Sequence, residues 1–169
     1  LDPVVAQALG AGDSVAGARG VQRGLILSIA LSLVATALLL PARPVLGLLH
    51  QPPQVADVAA TYARTEIAGI VPFYVFAALR QSLQALKRIA PIVGAIVAGN
   101  LVNVGLNYLW IYGKLGFPAA GAVGSAWATV VARWIMLGLL GVVAWRELRP
   151  QLLPPRRDVL AWQPLRRMF

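Results

Sequence analysis

Three asparagines, Asn100, Asn103 and Asn107, interrupt an apolar run at spacings of three and four, which puts them on one face of a helix. An amide in hydrocarbon needs hydrogen-bond partners, so this face is expected to look into a bundle or a wet cavity rather than toward lipid. Two readings stay open: contact with a ligand, or interhelical bonds worth about 0.6–2 kcal/mol each. A second line, Gly121, Ser125, Thr129 and Arg133, advances in steps of four; its small residues let another helix approach closely, and it ends on a charge. Arg133 lies near the middle of its apolar stretch, where a charge costs at least about 2.5–3.5 kcal/mol on insertion scales. It should therefore face water or a carboxylate, the alternative being a reach to the headgroups. No acidic residue of this chain is expected at that depth, so the partner is expected outside the chain or as water in a cavity.

Catalytic chemistry finds little support. Ser14, Ser28, Ser32, Ser82 and Ser125 have no histidine base nearby in sequence, and the single histidine, His50, sits in a Pro-rich stretch. The absence of cysteine excludes disulfides, thiolate metal sites and a cysteine nucleophile. Gly10, Gly12 and Gly17 have neither the preceding strand nor the following Lys-Ser or Lys-Thr pair of a phosphate-binding loop. The expectation is a non-enzyme with no cofactor and no ATP coupling of its own.

The elements that position these residues are membrane helices. The chain is 59% hydrophobic and only 12% charged, with a mean hydropathy of +0.72, a balance that suits lipid rather than water. Four crossings are expected, at about 24–42, 64–86, 89–113 and 119–145, each near the roughly 20 apolar residues that span a bilayer. The first and third are charge-free runs, Gly24 to Ala42 and Ile89 to Gly113, and Pro91 stands where a helix begins. The second has charged ends at Glu66 and Arg80, expected to snorkel or to face protein, and Pro72 predicts a kink. Between the first two crossings, Pro41 to Pro53 reads as a loop. Residues 1–23 read as the end of a preceding helix and a loop, and 146–169 as a basic loop. The short link from Lys114 to Pro118 makes the last two crossings antiparallel neighbours.

Net charge is +9, but the basic residues punctuate apolar runs instead of forming one polar face, which argues against nucleic acid. Arg19, Arg23, Arg80, Lys87, Arg88, Arg146, Arg149, Arg156, Arg157, Arg166 and Arg167 fall on one side of the crossings, and Arg43, Arg64 and Lys114 on the other. The richer side is expected to be cytoplasmic. Such a basic tail also attracts anionic lipid, though an ordinary cytoplasmic loop accounts for it. The chain starts at Leu1 and stops just after a basic cluster, and is expected to be a stretch of a longer protein.

Several motifs carry a resemblance. Leu1-Asp-Pro-Val-Val-Ala-Gln-Ala-Leu-Gly-Ala-Gly-Asp13, Val21-Gln-Arg-Gly24, Gln51-Pro-Pro-Gln-Val55, Leu79-Arg80 with Gln84-Ala-Leu86, Asn103-Val-Gly-Leu-Asn107-Tyr, Tyr112-Gly-Lys-Leu-Gly116 and Gly121-Ala-Val-Gly124 with Ala128-Thr129 follow one another as in MATE (multidrug and toxic compound extrusion) transporters, NorM-like branch. The chain resembles that family from the end of its second helix to the loop before its seventh. The resemblance implies an all-α, polytopic membrane bundle, part of the N-terminal lobe of a twelve-helix, two-lobe exporter in the inner (plasma) membrane. It implies export of cationic or amphipathic drugs and other xenobiotics in exchange for sodium ions or protons, with the second lobe and the family's acidic residues lying outside this segment. Asn103 and Asn107 are similar to polar cavity positions of the family's fifth helix, and Thr129 to one of its sixth. Asn100 and Arg133 complete the candidate set on helical position alone. An amide takes up no proton, so a proton-driven cycle is expected to use carboxylates elsewhere. The rivals are a lipid-linked sugar flippase of the same superfamily, whose cavity would need cations to hold a pyrophosphate, and a membrane scaffold subunit that transports nothing.

Overall fold

The computed structural model describes residues 14–153, which form helices joined by short connections. In chain order they are α1 (Ser14–Leu39), α2 (Ala42–Leu48), α3 (Pro53–Ile67), α4 (Ile70–Ala85), α5 (Ala90–Tyr112), α6 (Gly121–Val143) and α7 (Trp145–Leu152). Three of them, α1, α5 and α6, are long and apolar enough to cross a membrane. The fold is all-α among the described residues, and residues 1–13 and 154–169, with the expected preceding helix and the end of the basic tail, lie outside them.

Helix α1 begins ten residues before the uncharged run because Arg19, Gln22 and Arg23 continue the helix as its polar first turns. Inside it, Ser28 and Ser32 satisfy their hydroxyls by donating to carbonyls one turn back, Gly24 O at 2.8 Å and Ser28 O at 2.7 Å. The Pro-rich stretch is not wholly a loop. Pro41 caps α2 and Pro44 falls in its first turn, where a missing N–H breaks no hydrogen bond; Pro53 likewise opens α3.

The expected crossing at 64–86 is two helices with a break at Ala68 and Gly69. Pro72 is the cause: it has no N–H for the Ala68 carbonyl four residues earlier. That carbonyl takes the indole N–H of Trp134 in α6 instead, at 3.0 Å. By itself α4, with 16 residues, is about 24 Å long, less than a bilayer core.

Helices α5 and α6 form the most extensive pairing, antiparallel, with Gly99 against Met136 and Gly124 against Trp110. A Cβ at Gly124 would lie 2.6 Å from Trp110 O, so only glycine allows this approach. The close contact thus uses Gly124 and buried Ala128 and Ala132 rather than the expected line from Gly121, which is exposed. Gly113 ends α5 in a left-handed conformation, φ +64°, where a side chain would also meet Ala119 N at 2.7 Å; this sets the turn into α6.

The core is concentrated at one end. Phe76, Leu79 and Leu83 of α4, Ile92 and Ala95 of α5, Leu140 of α6 and Leu148 of α7 pack into one cluster. At the opposite end the last turns of α1 and all of α2 leave Leu38, Leu40, Leu48 and Leu49 exposed.

Candidate functional site

The asparagine face stands on α5 between its two close contacts with α6, at Gly99 and at Trp110. Asn103 and Asn107 are half-buried and Asn100 is exposed. Asn107 Nδ2 donates to Asn103 O at 2.9 Å and to Asn103 Oδ1 at 3.0 Å, so the pair is joined along its own helix. This uses both amide hydrogens of Asn107 and leaves Asn103 Nδ2 as a donor and Asn107 Oδ1 as an acceptor with no partner among the described residues. No interhelical bond holds the stripe to another described helix. Thr129 Oγ1 donates to Ser125 O at 3.1 Å. The contacts of Gly99 with Met136 and of Gly124 with Trp110 set an antiparallel register that brings Thr129 level with the turn between Asn103 and Asn107.

Arg133 does not join this group. Its Nη1 contacts Glu66 Oε2 at 2.5 Å, and its guanidinium carbon sits 5.4 Å from the centre of the Phe73 ring. This corrects the expectation that the chain holds no carboxylate for Arg133: Glu66, at the last turn of α3, is that carboxylate. The break after Ile67 places it there, because α3 stops beside the middle of α6 instead of running on as the charged end of a longer helix. Gly69 makes room, since a Cβ there would be 2.9 Å from Arg133 Nη1. The side chains are 28% and 14% exposed, so the pair is well shielded, which strengthens its attraction and raises the cost of losing either partner. Beside it lies a pocket of about 380 Å³ between Leu38 and Leu39 of α1 and Phe73 and Tyr74 of α4. Glu66 Oε1 is buried and has no hydrogen-bond partner among the described residues.

Helical spacing singles out the asparagine stripe, Thr129 and Arg133, but not Glu66. The pair spans 67 positions, beyond the reach of any helical spacing rule. The one available signal was Pro72, which marks the break that turns Glu66 toward α6. Ionic contacts elsewhere are peripheral: Arg43–Asp57 near the open end and Arg88–Glu147 at the other.

Comparison with known proteins bears directly on this arrangement. A family model described as MatE matches residues 1–109. The "Probable multidrug resistance protein NorM" of Synechococcus sp. is 33% identical, the match covering 99% of this chain and 35% of that protein. The "Multidrug resistance protein MdtK" of Edwardsiella ictaluri is 33% identical over 100% of this chain and 38% of its own length. A "Probable multidrug resistance protein NorM" of Bradyrhizobium diazoefficiens is 36% identical over 87% and 32% respectively. The chain spans about a third of the length of these curated relatives. With the matched region running from the first apolar span through most of the asparagine helix, and three apolar spans among the described residues, the chain is a multi-pass segment of the inner membrane and belongs to the MATE family.

Proposed function

We propose that this chain is the greater part of one lobe of a secondary antiporter that exports cationic or amphipathic drugs in exchange for sodium ions or protons. The observation that carries this reading is the open hydrogen-bonding capacity of Asn103 and Asn107: a donor and an acceptor, one turn apart, unclaimed by any described helix. Groups of that kind in a membrane bundle face water, a ligand or a further helix, and in an exporter they line the path. The names of the relatives, multidrug resistance proteins, supply the substrate class. Transport of this kind needs no cofactor and no catalytic group, only the ion gradient and the remainder of the transporter.

The buried carboxylate does not serve as the coupling site in this reading. Its Oε2 is committed to Arg133 in a contact that joins two helices, so it belongs to the fold. The coupling carboxylates are those of the missing helices. The same pair weakens the flippase alternative, because the cation available to hold a pyrophosphate is already engaged.

The test is export of a fluorescent cationic dye by the full-length transporter in a pump-deficient cell, normalised to correctly folded protein in the membrane. Asn103→Leu and Asn107→Leu are expected to lower export per folded molecule about tenfold, the loss of roughly one hydrogen-bonded contact in the transport path. Unchanged export per folded molecule in both would remove the asparagine face from the path.

A further inference from the structure

The end of the bundle that holds the core also gathers basic residues from four parts of the chain. Arg19 and Arg23 come from the start of α1, Arg80 from the last turns of α4, Lys87 and Arg88 from the link to α5, and Arg146 and Arg149 from α7. Among the described residues the one acid at this end is Glu147, and Arg88 already holds it at 2.5 Å. The hydrogen bond from Arg88 keeps the Glu147 carboxyl below its ordinary range, so it stays ionised and spent.

Helix α7 gives this charge a shape. After the turn at Ala144 it folds against α1, where Gln22 Nε2 donates to Gln151 O at 3.2 Å and to Leu152 O at 3.3 Å. Leu148 is 1% exposed and Gln151 7%, so one face is seated on the bundle. The other face shows Trp145, Arg146 and Arg149. The Arg88–Glu147 contact ties the link that carries Lys87 to α7, which carries Arg146 and Arg149. Among the described residues, the Nε of Arg80 is buried without a partner.

A topology signal needs only cations in the loops of one side. Here they are arranged: an indole, which prefers the boundary of lipid and water, is fixed among exposed cations immediately beyond the end of a membrane span. We propose that this end of the bundle, with Lys87, Arg146 and Arg149 around Trp145, is a docking surface for the anionic phospholipid headgroups of the leaflet it meets. The inference rests on membrane placement and not on transport.

The full-length transporter carrying this segment is reconstituted in vesicles of phosphatidylcholine and phosphatidylglycerol, with one or the other lipid brominated to quench nearby tryptophan. The contribution of Trp145 is isolated by difference from Trp145→Phe. Brominated phosphatidylglycerol is expected to quench it at least about twofold more than the same fraction of brominated phosphatidylcholine, an enrichment of the size that a few interfacial cations produce. Raised salt should reduce the excess. Lys87→Gln with Arg146→Gln and Arg149→Gln should abolish it, while the charge-keeping set Lys87→Arg, Arg146→Lys and Arg149→Lys should retain it and shows that the segment tolerates change there. Inorganic phosphate should displace the lipid no better than chloride of equal ionic strength. Equal quenching by the two lipids would leave a topology signal alone and overturn the proposal, as would selective displacement by phosphate.

Discussion

The Glu66–Arg133 junction and the asparagine face of α5 bring polar groups to similar depth in an apolar bundle and satisfy them in opposite ways. At the junction, three side chains close on a helix break: Arg133 meets Glu66, Trp134 takes the carbonyl that Pro72 leaves free, and Gly69 provides the space. Every strong contact crosses between helices. On α5 the bonds run from Asn107 back to Asn103, within one helix, and the remaining amide groups have no partner among the described residues. Polar residues that join helices are committed to the fold, and those that join only their own helix remain available to something else. The contrast separates Arg133 from the asparagines with which depth and spacing alone would group it.

The largest effect is expected at the junction. Arg133→Met or Glu66→Gln leaves a shielded charge without its partner, and stability should fall by about 3 kcal/mol, seen as a lower thermal midpoint and less monodisperse protein in detergent. Arg133→Met combined with Glu66→Met should recover most of that loss, since two apolar side chains replace a pair rather than half of one. If the singles cost nothing, the pair is a solvated contact and the contrast with α5 fails.

A smaller loss sharpens the account of the break. Trp134→Phe keeps an aromatic ring but removes the donor to Ala68 O, and should cost about 0.6–2 kcal/mol. In a Pro72→Ala background the restored backbone N–H can serve that carbonyl, so Trp134→Phe should cost less there. A double-mutant cycle measures the coupling; additive effects would mean that the indole is not substituting for the missing N–H.

How much of this was legible follows the same division between local and distant partners. Helices α5 and α6 could be read within one or two residues at each end because uncharged runs, Pro91 and Gly113 are local signals. The start of α1 lies ten residues before its apolar run, because apolar runs mark lipid and not helix, and the first turns of α1 are polar. Pro44 misled in the other direction, because a proline in a first turn costs no bond. The asparagine stripe was visible from periodicity, but whether it bonded across helices was not. Glu66 looked like the charged edge of a crossing, since nothing local tells that its partner lies on α6.

The smallest effect on stability should come from Asn107→Leu, and it tests the contrast from the side of α5. If the asparagines tied helices together, removing this amide would cost about 0.6–2 kcal/mol, comparable to losing the Trp134 donor. The observed bonds argue otherwise. Asn107 Nδ2 serves Asn103 O and Asn103 Oδ1, and both belong to the same helix. The first already lies in the backbone ladder of α5, so it is not stranded when the side chain leaves. The second returns to Asn103, a half-buried residue at the edge of the described bundle. Leucine also suits a membrane helix in propensity and in lipid. The thermal midpoint of the full-length protein should therefore change by less than Trp134→Phe changes it, while dye export per folded molecule falls. A midpoint lowered as far as at Trp134 would show that a helix beyond the described residues bonds to Asn107, and would move the asparagine face from the transport path into the fold.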